Sequence, residues 1–312
     1  MIARDALIAV LGPTGVGKTE VAIRLASQLD GEIISADSRL LYRGMDIGTA
    51  KPSPDQLASV AHHLIDVAEP DEEWSLAVFR AAALEAITAV QARGRLPLLV
   101  GGTGQYIRAI LEGWSPPPGA KDEGLRRELE NFSAAHGHEA LRARLAEIDP
   151  VSAARIDSRN VRRVVRALEI HLLTNQLPSR VRKRSETPFR SLKILLSLPR
   201  RELYARIDNR SERMIERGLV DEVRGLLARG FSPDLPAMSA IGYRQIVAHL
   251  QGKMTLDEAL AEIRRASRRL VRHQANWFKE DDPRNHVFEA REGIEKQIAD
   301  LIQGWLGDKI MD

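Results

Sequence analysis

The chain has 312 residues, 44% hydrophobic and 29% charged, enough apolar material for one large domain or two modest ones and too much for a disordered chain. There is no cysteine, which excludes disulfides, zinc ribbons and thiol catalysis. The formal net charge of +3 says little by itself, so the distribution of charge along the chain has to carry any inference about partners.

No apolar run approaches the ~20 residues of a membrane span, so no membrane partner is expected. The first five residues pass directly into an apolar strand, which argues against a cleavable leader. A cytoplasmic protein is expected, and nothing in the sequence demands more than a monomer.

Ala6–Leu11 is a short apolar run that predicts a strand. It enters Gly12-Pro13-Thr14-Gly15-Val16-Gly17-Lys18-Thr19, after which Val21, Ala22, Leu25, Ala26 and Leu29 recur at helical spacing. Residues 32–36 predict a second strand ending at Asp37, and residues 63–67 are a candidate third. Residues 75–93 predict an alanine-rich helix stopped by Gly94, and residues 96–100 a buried strand that runs into Gly101-Gly102-Thr103. Strands alternating with helices imply a parallel sheet with right-handed crossovers.

Residues 114–119 read Trp-Ser-Pro-Pro-Pro-Gly, a stiff linker. Beyond it the pattern is helical and charged until a strand returns at residues 191–198. The expectation is therefore an α/β, P-loop NTPase-like parallel-sheet core (1–114 and 191–312) with a mostly helical insertion domain (115–190). After Pro199 come further helices. Thr255 and Glu258 form a capping-box pair opening an arginine-rich helix toward Trp277. Residues 285–289 predict a last strand and residues 294–305 a closing helix.

Gly12–Thr19 satisfies G-x-x-x-x-G-K-[ST] between a strand and a helix. The glycines let backbone N–H groups turn inward around an anion, and the helix N-terminus adds its dipole. Lys18 supplies positive charge, and Thr19 is the candidate Mg²⁺ ligand. The pattern establishes a polyphosphate ligand without saying which. A P-loop kinase needs an acidic residue at a strand end to organise its metal; the strand at 96–100 ends in glycine instead, leaving Asp37 and Asp66 as candidates. For Asp37 the residues alone leave open an N-cap, a Mg²⁺ ligand and a general base.

Positive charge is clustered. Residues 155–184 hold nine Arg and Lys against Asp157 and Glu169, and residues 262–273 hold five Arg against Glu262. Arg162, Arg163 and Arg166 lie at helical spacing, and Arg268, Arg269 and Arg272 repeat it. Such clusters are either solvated helix faces or the footprint of a polyanion.

Residues 35–52 (SADSRLLYRGMDIGTAKP) resemble the signature of the tRNA dimethylallyltransferases, also called isopentenylpyrophosphate transferases. Gly101-Gly102-Thr103-Gly104-Gln105-Tyr106, Ile241-Gly242-Tyr243-Arg244-Gln245 and the Gln274-Ala275-Asn276-Trp277 segment resemble further motifs of that family, in order over nearly the whole chain. Departures are small: Leu40 stands where Gln is common, Gln105 where Leu is, and His273 and Asn276 replace the usual Arg and Thr. Lacking cysteine, the chain resembles the bacterial form, without the zinc finger of eukaryotic relatives.

The resemblance implies transfer of a dimethylallyl group from dimethylallyl diphosphate to the exocyclic amine of the adenosine 3′ of the anticodon in tRNA. Pyrophosphate leaves, and Mg²⁺ is the implied cofactor. It assigns Gly12–Thr19 to the diphosphate, Asp37 as general base, and Thr103 beside the reacting groups. It implies tRNA contact at Ser35, Ala36, Asp37, Ser38 and Thr103, at Arg162, Arg163, Val164, Val165 and Arg166, and at Ser239, Ala240, Ile241, Gly242, Tyr243 and Arg244, with Arg126 a weaker candidate. The rivals are a prenyltransferase of free adenine nucleotides, a P-loop small-molecule kinase and a non-catalytic RNA-binding module. The first has no use for the insertion or two arginine clusters, and the last none for Lys18, Thr19 and Asp37.

Overall fold

The structure is a computed structural model and describes residues 5–114, 122–181 and 186–307. The chain divides into two compact units, residues 1–111 with 187–312, and residues 112–186. The boundaries fall at 111/112 and 186/187, where the sequence suggests 114/115 and 190/191. Arg190 already donates its N–H to Asp5 O at 2.9 Å, so the returning strand pairs with the sheet from its first residue. The Pro-rich segment 115–119 and Arg182–Arg184 of the basic cluster lie outside the described residues.

The larger unit holds β1 (Ala6–Leu11), α1 (Lys18–Gln28), β2 (Gly31–Ser35), α2 (Pro54–Ser59), β3 (His62–His63), α3 (Leu76–Ala92), β4 (Leu96–Gly101) and α4 (Gly104–Leu111). The smaller unit supplies α5 (Glu123–His136), α6 (His138–Ile148), α7 (Pro150–Arg155), α8 (Val161–Thr174) and α9 (Pro178–Val181). The larger unit resumes with β5 (Arg190–Ser197), α10 (Arg200–Glu216), α11 (Leu219–Ala228), α12 (Tyr243–Leu250), α13 (Leu256–Ala275), β6 (Asn285–Glu289) and α14 (Ile294–Gly307).

The six strands form one sheet in the order β3-β2-β4-β1-β5-β6, with every pairing parallel. β1 and β4 are buried along their whole length, as a strand covered by helices on both faces must be. Their side chains divide by the period of two. Leu7, Ala9 and Leu11 join the core under α3, α4 and α11–α13, while Ala6, Ile8 and Val10 join the core under α1 and α14. The third strand is shorter than residues 63–67 suggest, because Leu64 and Asp66 take positive φ of 63° and 55° and leave the extended region. Local signals set the helix starts: Ser75 caps α3, and Thr255 with Glu258 makes the capping box of α13.

This topology places the ends of β1, β2 and β4 side by side on the carboxyl edge of the sheet, where open α/β sheets bind ligands. The phosphate loop, Asp37 and Gly101-Gly102-Thr103 follow those three ends. They are tied together by Ala36 N–H donating to Val100 O (2.7 Å) and Thr103 N–H to Ala36 O (3.2 Å).

The smaller unit packs its helices around Leu129, Leu141, Leu145, Ala153, Val164, Val165, Ala167 and Leu168. Glu169 is fully buried beside this core.

Candidate active site

Thr14, Gly15, Gly17, Lys18 and Thr19 of the phosphate loop line a cavity of about 450 Å³ with Asp37. Lys18 Nζ donates to Gly12 O (3.0 Å) and Pro13 O (2.9 Å) of its own loop. Burial pulls its pKa down to about 8; Asp37 opposes that shift and Arg210 adds to it. An anion entering the cavity would supply a counter-charge for this lysine.

The same cavity meets Arg206, Arg210 and Arg213 on one face of α10, and Arg217 at its C-cap, at spacings of four, three and four. The sequence reading did not single these out, although their periodicity was visible. Arg206 reaches Val16 O of the phosphate loop at 3.5 Å, and Arg210 donates to Thr49 O at 3.2 Å. Burial lowers the pKa of Arg210, and Asp37 opposes that shift. Ile33, Leu40, Ile47, Ile65, Val100 and Met214 give the wall an aliphatic part, beside the polar Glu20, Ser35, Thr49, Lys51, Gln56 and His62. A cationic end and an aliphatic wall suit an anionic head group carrying a short hydrocarbon.

A second cavity, about 440 Å³, has Ser38, Arg39, Gly102, Thr103, Gln105, Ser239, Ala240 and Ile241 on one side and Ser267, Leu270, His273 and Gln274 of α13, with Trp277 just beyond its end, on the other. Thr14, Asp37, Thr49, Arg210 and Met214 border both cavities. Asp37 thus stands between them. Its Oδ1 accepts the N–H of Arg39 at 2.9 Å. Thr103 Oγ1 accepts the N–H of Ser38 at 3.1 Å, while its carbonyl accepts Ile107 N–H at the start of α4. The hydroxyl therefore faces Ser38, and the Thr103 carbonyl takes the first hydrogen bond of α4.

Other sequence candidates separate. Ser35 is buried in the wall of the first cavity, not the second. Ala36, Ala240 and Tyr243 are buried, and the Tyr243 hydroxyl is bonded to Glu222, so Tyr243 presents no ring. Ser239 and Arg244 are exposed. In the smaller unit Arg162 and Arg163 are exposed, whereas Val164 and Val165 are in the core.

Arg166 does not share the fate of Arg162 and Arg163: it bonds Glu169 at 2.5 Å. Arg126 grips the same carboxylate with Nε and Nη2, both at 2.9 Å. Arg268 pairs with Asp208 of α10, while Arg269 and Arg272 are exposed. Asp66 bonds Lys51 and is not among the residues that line the phosphate-loop cavity.

Sheet order, phosphate loop and a carboxylate shared by two cavities define a P-loop α/β protein built to set an anion against a second substrate. The chain belongs to the IPP transferase family, whose model matches residues 40–281; the related Isopentenyl transferase model matches residues 5–71. It is 53% identical to the tRNA dimethylallyltransferase of Chloroflexus aurantiacus over 88% of this chain and 93% of that protein. It is 48% identical to the protein of the same name from Roseiflexus sp., over 96% and 98%. The crystal structure of the tRNA isopentenylpyrophosphate transferase from Bacillus halodurans superposes with a TM-score of 0.74 at 40% identity, covering 98% of each chain.

Proposed function

We propose that the chain transfers a dimethylallyl group from dimethylallyl diphosphate to the exocyclic amine of the adenosine 3′-adjacent to the anticodon in tRNA, releasing pyrophosphate. The observation that carries the reading is the position of Asp37 on the border of two cavities, one phosphate-binding in character and the other lined by two motif loops and α13.

The first cavity takes the donor. Loop N–H groups, Lys18 and the arginines of α10 hold the diphosphate, and the aliphatic wall takes the five-carbon chain. The second cavity takes the adenine, splayed out of the anticodon loop as single-stranded bases are when they are modified. The amine is a weak nucleophile because its lone pair is delocalised into the ring. As its nitrogen bonds the allylic carbon, the carbon–oxygen bond breaks and its electron pair stays on the diphosphate. Asp37 takes the departing proton of the amine. Negative charge then grows where Lys18 and the N–H groups point. Thr103 holds Ser38, and through it the segment next to Asp37.

Magnesium fits this site in one way. Thr19 lies in the same wall as Lys18 and Asp37, and among the described residues no group of three His, Asp or Glu side chains is placed to hold a metal. Thr19 would hold Mg²⁺ together with the oxygens of the diphosphate itself, the usual manner for this ion. When bound it neutralises charge on the leaving group.

The smaller unit is assigned to the tRNA. Arg162 and Arg163 are its phosphate contacts, with Ser38, Ser239, Ile241 and Arg244 serving at the second cavity. The buried Val164, Val165, Ala36, Ala240 and Tyr243 support those contacts from beneath. Among the described residues no helix is long and apolar enough to cross a membrane. The proposed compartment is the cytoplasm, and one chain supplies every residue invoked.

The test is direct. Purified protein, Mg²⁺ and radiolabelled dimethylallyl diphosphate are mixed with unmodified tRNA or with AMP. Label at the adenosine beside the anticodon is the expected result; label on AMP alone overturns the choice of acceptor.

A further inference from the structure

Gln274, near the end of α13, is 6% exposed and bonds two loops that are remote from it in sequence. Its Oε1 accepts the N–H of Thr14 at 2.9 Å, and its Nε2 donates to Gly102 O at 3.0 Å. The amide has one possible orientation, because a backbone N–H only donates and a carbonyl only accepts. The space is shaped for it: a Cβ on Gly102 would lie 2.6 Å from Nε2 and 3.6 Å from Lys18 Nζ.

Thr14 borders both cavities, and Gly102 immediately precedes Thr103. One side chain therefore joins the phosphate loop to the loop that holds Ser38 beside Asp37. The helix carrying it also forms the far wall of the second cavity through Ser267, Leu270 and His273. One turn on, Trp277 packs against Gly104.

We infer that Gln274 is a positioning residue for the transfer. It holds the phosphate loop and the Gly102-Thr103 loop at one separation, so that the allylic carbon in the first cavity and the amine in the second meet in reacting geometry. This rests on the donor and acceptor assignments made above. The diphosphate is gripped by Lys18 and the α10 arginines; Gln274 borders the second cavity, but its amide is turned to Thr14 and Gly102, so the hold on the tRNA rests on the other groups named above. The inference therefore separates turnover from affinity. A misplacement of about 1 Å between reacting groups is enough to cost on the order of 10²-fold in rate.

The experiment compares Gln274→Met, which keeps the length and apolar volume but has no amide, with the wild type. It measures kcat at saturating dimethylallyl diphosphate and tRNA, KM for each substrate, and the melting temperature. The expected result is a kcat lower by about 10- to 100-fold, with both KM values within about threefold and the protein still folded. Unchanged kcat overturns the inference. So does a parallel fall of kcat, both affinities and melting temperature, which is what loss of packing alone produces.

Gly102→Ala is the second variant, and it decides the matter if Gln274→Met does not fold. Its Cβ pushes the amide off the Gly102 carbonyl while Gln274 stays in place, and the same loss confined to kcat is expected. Wild-type protein that moves no label to tRNA overturns the proposed function and this inference together. Active wild type with an equally active Gln274→Met overturns this inference alone.

Discussion

The hydroxyl of Tyr243 donates to Glu222 Oε1 at 2.5 Å. The same carboxylate accepts the backbone N–H groups of Asp46 (2.9 Å), Ile47 (2.8 Å) and Gly48 (3.2 Å). Gly48 lies on the tyrosine ring, where a Cβ would stand 2.4 Å from Cε2. The next residue, Thr49, offers its carbonyl to Arg210, so α11 and α12 hold the motif loop whose other end is Asp37. Removing Glu222 leaves three N–H groups to find water in a partly closed site. Glu222→Ala is expected to cost about 1–3 kcal/mol and Tyr243→Phe about 1 kcal/mol, as read by urea unfolding. Equal costs for the two variants would show that the N–H groups do not depend on the carboxylate.

Asp37→Asn preserves shape and removes the base. Turnover should fall by about 10²- to 10⁴-fold while tRNA binding persists. Lost tRNA binding with normal turnover per bound complex would sink the role of general base. Filter binding and single-turnover transfer on the same preparation separate the two.

Burial pulls Lys18 down to about 8, below the ordinary lysine value, so it is charged below that pH and loses its proton as the pH rises through it. Affinity for pyrophosphate should accordingly weaken above about pH 8. Arg210 helps to depress the lysine, so Arg210→Met should move the break upward. Calorimetric titration with pyrophosphate across pH 6.5 to 9.5 measures both; a break that stays in place removes Arg210 from the electrostatics of the loop.

Glu32, at the opposite end of the sheet from the site, carries a pH-dependent part of the stability. Its burial would raise the carboxyl, but hydrogen bonds from Arg93, His63 and Arg95 outweigh that and hold it at about 2. A folded pKa below the unfolded value of 4.5 gives stability that is complete above about 4.5 and is lost as pH falls toward 2. The arginines are half exposed and rehydrate when released, so Glu32→Gln should cost about 1–3 kcal/mol at pH 7. It should also flatten the dependence of the urea midpoint on pH between 5 and 3. An unaltered slope would assign the acid sensitivity elsewhere.

In the smaller unit the arginines divide by partner. Arg162→Glu with Arg163→Glu should weaken tRNA binding and shallow its salt slope, with little change in melting temperature. Arg126→Ala should lower the melting temperature, because it strips a bidentate partner from a buried carboxylate. The opposite assignment of effects would return Arg162 and Arg163 to a solvated face.

How much was legible in the residues follows from how local each feature is. The phosphate loop, the capping box at Thr255 and the strands at β1, β4 and β6 were readable because each is decided within about ten contiguous residues, by backbone freedom, hydrogen-bond competition and burial period. The end of the third strand is not legible in the sequence, because composition does not reveal where a chain turns to positive φ. Motif order likewise carried the family, since it needs no knowledge of what touches what.

Which charged groups remain available was not local. Arg126 and Arg166 look like solvent-facing phosphate ligands until a buried glutamate, 43 residues beyond Arg126, claims them. Arg206 and Arg210 look like an ordinary solvated helix face until α10 meets the carboxyl edge of the sheet. Gln274 is one polar residue of a motif until packing brings it to Thr14, 260 residues away. The sequence alone therefore determined the elements and the phosphate-binding chemistry, which are properties of short segments. Only the tertiary structure decided which side chains share a cavity and which are consumed in holding it, because those depend on contacts between segments far apart in the chain.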